Sequence, residues 1–160
     1  MPQQKKYRPK DPAEVRRNMS AIRASENRTE VALRHAIHAL GLRYRKYSNE
    51  LPGKPDIVFV SARVAVFVDG DYWHARDLVE DNGEALLRRL RRLSPEARRY
   101  WLGKFRRRVA RDREVSDELK NAGWLVVRLW ESDVRKNVQR AASRVAAKVN
   151  RRIACETSGK

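Results

Sequence analysis

The stretch 56-DIVFVSARVAVFVDGDYWH-74 carries the reading of the fold. Its two apolar runs, 56-DIVFV-60 and 64-VAVFV-68, are joined only by Ser61, Ala62 and Arg63, a spacing that predicts an antiparallel hairpin. Both runs are almost continuously apolar, so their sheet is expected to be covered on two faces and to form the centre of the domain. If Val60 faces Val64 across the turn, Asp56 faces Val68. That pairing brings the Asp56 carboxylate beside the main-chain carbonyl of Val68 and close to Asp69, an oxygen-rich corner that suits Mg²⁺. Strict alternation turns Asp69 to the face opposite Asp56, unless the strand bulges or ends near Gly70. Asp56 is thus the main ligand expected, and Asp69 an additional one.

On the N-terminal side, Asp11 as N-cap, Pro12 at the first helical position and the spacing of Val15, Met19 and Ile22 predict a short docking helix to about Ala24. A second helix is expected from Thr29 to Leu40, with Leu33, Ala36, Ile37 and Leu40 on one stripe and Gly41 at its left-handed end. Glu30 falls in its first turn, where a carboxylate complements the helix dipole. His35 and His38 have no partner at a metal-ligand spacing and read as surface or core residues. Residues 42-LRYRKY-47 alternate as a strand does, and 48-SNELPGKP-55 is a turn-rich connection.

On the C-terminal side, residues 78–100 combine a turn at Gly83 with a short basic helix; Ser94 then caps a long helix that starts at Pro95 and runs to about Asn121. Trp101, Phe105 and Val109 recur every four residues along it. A strand follows at 124-WLVVRLW-130, and Val134, Val138, Ala142, Val145 and Val149 mark a final amphipathic helix. The fold class expected is α/β, a mixed β-sheet flanked by helices on both faces. Residues 11–152 form a single domain in this reading, between a flexible N-terminal arm over 1–10 and a flexible tail over 153–160.

The chain has 160 residues with 37 Lys and Arg against 20 Asp and Glu, a net charge of +17 that calls for a polyanionic partner. Double-stranded DNA is the first such partner. Twelve Lys or Arg residues fall between Arg88 and Arg113, among them Lys104, Arg107, Arg108 and Arg111, and Lys54 adds a cation beside Asp56. There is no apolar run of membrane-spanning length, no signal peptide and no lipidation signal, so a soluble, cytoplasmic, nucleoid-associated protein with no membrane partner is expected. The single cysteine, Cys155, can make neither an internal disulfide nor a zinc site alone.

Against this charge, the acids of 69-DGDYWH-74 need a cation of their own. Mg²⁺ held by one or two carboxylates can polarise a phosphodiester, and an imidazole such as His74 can activate water as a general base. Tyr72 and Trp73 read either as a stacking surface for bases or as loop anchors packed into the core.

With these residues in view, the chain resembles the very-short-patch-repair (Vsr) mismatch endonucleases, a variant of the restriction-endonuclease fold. The resemblance covers Arg17 to Ala147 and rests on 17-RNMSAIRASENRTE-30, 51-LPGKPDIVF-59, 66-VFVDGDYWH-74, 100-YWLGKFRRRVARDRE-114 and 121-NAGWLVVRLWESD-133, in that order. It implies a Mg²⁺-dependent nick of one strand at a T·G mismatch, with Mn²⁺ able to substitute. By matching positions, Asp56 is implied as the metal-binding aspartate, Val68 as the residue whose main-chain carbonyl joins the metal, and His74 as the general base. Glu30 and Asp112 match supporting acids, and Tyr72, Trp73 and Trp101 match intercalating aromatics. The family's structural zinc is not expected, because Asp71 and Ser132 stand at its ligand positions. A Val68–Asp69 pair also replaces the usual Thr and His of the second active-site strand.

Two other functions fit the same residues. One is a homing, restriction or defence nickase that reads another DNA feature; the other is a non-catalytic basic DNA-binding module. A monomer is expected, with a mismatch-repair protein or DNA methyltransferase as the partner the resemblance would bring.

Overall fold

The hairpin read from the sequence lies inside a mixed sheet, in a computed structural model that describes residues 11–46, 48–72, 74–80 and 82–157. The N-terminal arm, Trp73 and residues 158–160 lie outside the described residues. Among those described, the strands are β1 (Arg45–Lys46), β2 (Ile57–Phe59), β3 (Val64–Asp69) and β4 (Leu125–Trp130), adjacent in that order. The β1/β2 and β2/β3 pairs are antiparallel and the β3/β4 pair is parallel. The helices are α1 (Pro12–Ala39), α2 (Arg76–Glu80), α3 (Glu84–Leu90), α4 (Pro95–Asn121), α5 (Glu131–Lys136) and α6 (Val138–Thr157).

Alternation along β3 divides the core. Val64 and Val66 pack with Leu33 and Ile37 of α1 and Val145 and Val149 of α6, whereas Ala65 and Phe67 meet Val115 and Leu119 of α4. Helices therefore cover both faces. Each fully buried Leu, Ile or Val contributes about 1.5–3 kcal/mol, which makes this double burial the main source of cohesion. A satellite cluster of Leu86, Leu90, Phe105 and Val109 fastens α3 to the N-terminal half of α4.

Ser94 accepts from the N–H of Ala97 at 3.3 Å, and α4 has the limits predicted for it. At the other end of the chain, Asp11 caps α1 by accepting from Ala13 N at 3.0 Å, and Gly41 follows its last turn with φ 81°. Two expected helices are a single one of 28 residues. No Gly or Pro lies between Ala13 and Leu40, so nothing interrupts the hydrogen-bond ladder. As a result Glu30 sits inside a helix, not in a first turn, and the dipole reading falls away. The expected final helix is broken at Asn137, which takes an extended conformation (φ −157°, ψ 92°) and accepts from Arg140 N at 2.8 Å. Helix α6 then continues through residues 153–157, up to Thr157.

The hairpin differs from expectation by one residue. Phe59, not Val60, pairs with Val64, and the connection runs from Val60 to Arg63 with Arg63 N donating to Val60 O at 3.2 Å. Val60 stays 49% exposed while Ala62 is fully buried in the core, so the tighter three-residue turn is replaced by one that tucks Ala62 inward. A slip of one residue reverses faces. The paired register ends at Ile57 and Val66, and Asp56, just before β2, donates its N–H to Val66 O at 3.0 Å. Asp69 alternates onto the Phe67 face of β3, which α4 covers.

Candidate active site

Asp56 is delivered by the turn 51-LPGKPD-56, where Gly53 has φ 72° and any Cβ at that position would strike the Val115 side chain of α4. The close passage needs glycine. Asp56 N donates to Val66 O at 3.0 Å, and the Val68 N–H donates to Asp56 Oδ2 at 2.7 Å. The N–H and C=O of one strand residue point to the same edge, so the Val68 carbonyl faces the edge that Asp56 occupies.

Burial raises the Asp56 pKa to about 7 against the lowering effect of the Val68 hydrogen bond; the negative charges of Glu30 and Asp69 raise it further and Arg34 lowers it. Asp56 is thus a half-buried acid with Arg34 as a nearby cation and no ion pair among the described contacts. The donor set at hand is all oxygen: the Asp56 carboxylate, the Val68 carbonyl and, through its charge, Glu30, which a hard divalent cation fits. Among the described residues no group of three or more His, Cys, Asp or Glu side chains is placed to hold a metal ion by itself, and waters and a phosphate would complete a shell at Asp56. Glu30 is 3.5 Å from Arg34 Nη1, and the neighbouring Thr29 hydroxyl donates to buried Glu131 at 3.3 Å, which ties α1 to the start of α5.

His74 belongs to a wound loop in which His74 N donates to Gly70 O at 3.0 Å and Arg76 N to Asp71 O at 2.9 Å. Its Nδ1 lies 2.7 Å from Asp112 Oδ2 and 3.3 Å from Asp69 Oδ1, and its Nε2 lies 3.0 Å from Arg108 Nη2. A guanidinium can only donate, so Nε2 must be the acceptor and Nδ1 must carry the proton. The imidazole is thus oriented with its lone pair outward. Burial would raise the Asp112 pKa, but the hydrogen bond from His74 and the positive charges of Arg128 and Arg108 hold it below the ordinary value. An open cleft of about 510 Å³ is lined by Asp69, His74, Asp112, Arg113, Ser116 and Arg128, among others.

The structure brings Asp56, Glu30 and Asp69 into electrostatic contact, and it brings His74, Asp69 and Asp112 into direct contact. Asp69, however, gives both carboxylate oxygens to Arg128 at 2.9 and 2.7 Å, which turns them to the α4 side instead of toward a shared metal. Tyr72 is 45% exposed and meets Phe105 edge-on, with Arg89 over its ring at 5.7 Å. Trp101 stacks on Phe105 and carries Lys104 over its ring at 4.8 Å. Lys54, Arg107, Arg108 and Arg111 are exposed.

At the positions where the resemblance puts zinc ligands, Asp71 and Ser132 are bonded to each other and to a cation. Ser132 donates through its hydroxyl (2.5 Å) and its N–H (3.0 Å) to Asp71, while Arg76 Nη1 donates to Asp71, Ser132 and Asp133 at 3.1, 2.8 and 3.1 Å. Burial would raise the Asp71 pKa, yet these bonds keep it lowered. Arg76 and Arg128 were not singled out from the sequence. Arg128 did have a signal, as the one charge inside the apolar run LVVRLW, where an ion needs a partner.

Comparison with known proteins bears on this geometry. Residues 9–80 match the family model described as DNA mismatch endonuclease Vsr. The type II nicking enzyme V.NmeDIP of Neisseria meningitidis serogroup C is 39% identical over 134 residues, 84% of either chain. This chain belongs to the Vsr family. The type II nicking enzyme V.NaeI of Lentzea aerocolonigenes is 43% identical over 122 residues (73% of this chain, 67% of the relative). The DNA mismatch endonuclease Vsr of Escherichia coli K12 is 30% identical over 125 residues (78% and 74%). Family membership makes the chain an endonuclease by descent, on the mixed α/β fold described above. No helix among the described residues is long and apolar enough to cross a membrane.

Proposed function

We propose that this protein is a divalent-metal-dependent DNA endonuclease that nicks one strand of a duplex at T·G mismatches. The observation that carries the reading is Asp56: a half-buried carboxylate with its pKa raised to about 7, pressed by the charges of Glu30 and Asp69 at a strand edge shared with the Val68 carbonyl. Asp56 and the Val68 carbonyl would hold Mg²⁺, with Glu30 near them and Mn²⁺ able to substitute. Bound there, the metal supplies Lewis-acid polarisation of the phosphodiester and stabilisation of the leaving oxygen. His74 receives a proton from the attacking water at Nε2, and Asp112, already bonded to Nδ1, stabilises the imidazolium that forms. Arg108 must leave Nε2 for this step, and a DNA phosphate offers its guanidinium a stronger partner. Exposed Tyr72, with Trp101 and Trp73, supplies the aromatic surface for the distorted base pair, and Lys54, Lys104, Arg107 and Arg111 contact the backbone.

Strand-resolved cleavage of a panel of mismatched, matched and modified duplexes tests this reading. Selective nicking of the T·G duplex in Mg²⁺, abolished by Asp56→Ala with duplex binding retained, is the expected outcome. Undiminished nicking by that variant would remove the site assignment. The naming of two of the relatives above as type II nicking enzymes favours a second reading, a defence-type nickase that works beside a DNA methyltransferase and reads another DNA feature. Nicking of matched or modified duplex in preference to T·G would select it.

A further inference from the structure

We propose that Arg128 is a positioning residue of the nicking site, holding Asp69 and Asp112 around His74 Nδ1; the proposal rests on the reading of His74 as the base. Arg128 lies within β4, and its Nη1 donates to both oxygens of Asp69 at 2.9 and 2.7 Å. Its Nε donates to Ser116 Oγ at 3.1 Å, and its Nη2 to the Asp112 main-chain carbonyl at 3.2 Å. Ser116 Oγ in turn donates to that same carbonyl at 2.7 Å, and the guanidinium lies 4.5 Å over the Phe67 ring. One side chain of β4 thereby ties β3 to α4.

Both acids tied in this way are the ones that meet His74 Nδ1, Asp112 at 2.7 Å and Asp69 at 3.3 Å. Asp69 is only 4% exposed, so without Arg128 its carboxylate would be buried with His74 as its remaining partner among the contacts described. It would then compete with Asp112 for the single Nδ1 proton, and the ring would turn. The fork of a guanidinium spans Asp69, Ser116 and Asp112 at once, whereas a lysine ammonium, a point donor, satisfies part of this set. Arg128 acts through Asp69 and Asp112 and need not touch DNA.

The test uses the full chain as wild type, Arg128→Gln, Arg128→Lys, Asp69→Asn and the Arg128→Gln/Asp69→Asn double variant. Single-turnover nicking, duplex Kd and long-range ¹H–¹⁵N spectra of the imidazoles are measured for each. In the wild type His74 should be the Nδ1–H tautomer. Arg128→Gln should slow nicking about 100-fold with duplex Kd changed less than about threefold, as expected for misplacement of a reacting group. Its His74 should lose the fixed tautomer. Arg128→Lys should recover part of the rate, and the double variant should be no slower than Arg128→Gln, because the two residues act as a unit. The double variant also carries no unpaired buried carboxylate, so it decides the matter if Arg128→Gln does not fold. A rate loss matched by an equal loss of duplex affinity would make Arg128 a phosphate contact and overturn the proposal, as would an unchanged His74 tautomer in both Arg128→Gln and the double variant. A wild type that binds duplex but nicks none would instead remove the functional reading, and the imidazole spectra would still decide whether Arg128 sets His74.

Discussion

Asp56 works against its own burial. Its pKa is 3.8 as a free side chain and about 7 in the fold, with desolvation as the largest cause. The sign of the linkage follows from which state holds the proton. Below the unfolded value both states are protonated and the group costs nothing; between the two values the unfolded chain ionises first, so stability falls as pH rises and levels off above the folded value. Metal-free Asp56→Asn should therefore match the wild type near pH 4 and exceed it at around pH 8, the full shift being on the order of 4 kcal/mol. Urea denaturation at the two pH values checks this, and an equal difference at both would remove the buried-charge account. Added Mg²⁺ should raise the midpoint of the wild type and leave Asp56→Asn unmoved. At the same scale, Asp56 was legible because an acid after Pro55 opens an apolar run. The partner that turns Asp69 away was not, since Arg128 lies 59 positions further along the chain.

Among the elements, the connection from β3 to α2 depends on Arg76. Its guanidinium joins Asp71, Glu80, Ser132 and Asp133, so the loop that presents His74 is fastened to the start of α5 by charge and hydrogen bonds. Arg76→Leu should lower stability by about 1–3 kcal/mol, the cost of leaving such polar groups unsatisfied, and should expose residues 70–75 to proteolysis before the sheet unfolds. Denaturant melts and limited proteolysis measure both effects. A zinc-selective chelator, added to protein without Mg²⁺, should leave the wild-type melting midpoint unchanged; a large drop would show that zinc holds this corner. Asp71 and Ser132 were noticed in the sequence because they stand at the zinc-ligand positions of the resemblance. Their union through Arg76 could not be read there, because it depends on α2 and α5 meeting.

For the whole molecule, the net charge of +17 and the exposed face of α4 set the terms of encounter with DNA. Each phosphate neutralised contributes a slope of about −0.9 to log K against log salt on duplex DNA, so replacing both Arg107 and Arg111 by Gln should flatten the slope by about 1.8. Titrations over a range of NaCl concentrations measure it. An unchanged slope would place DNA on another face. The catalytic rate at saturating DNA should change far less than affinity, since neither residue touches His74 or Asp56 in the contacts described.

Local order along the chain was enough for the hairpin, the limits of α4 from Ser94 to Asn121, the strand β4 and a sheet covered on both faces, because caps, turn residues and apolar periodicity act over a few residues. The same local signals singled out Asp56 and His74 as candidates, whereas Asp112 entered only through the resemblance. Packing in three dimensions decided the rest. Burying Ala62 moved the hairpin by one pair; an unbroken ladder fused α1; and the meeting of β3, β4 and α4 gave Asp69 to Arg128. Register and ion pairing depend on which distant surfaces fit together, and no short stretch of sequence contains both partners.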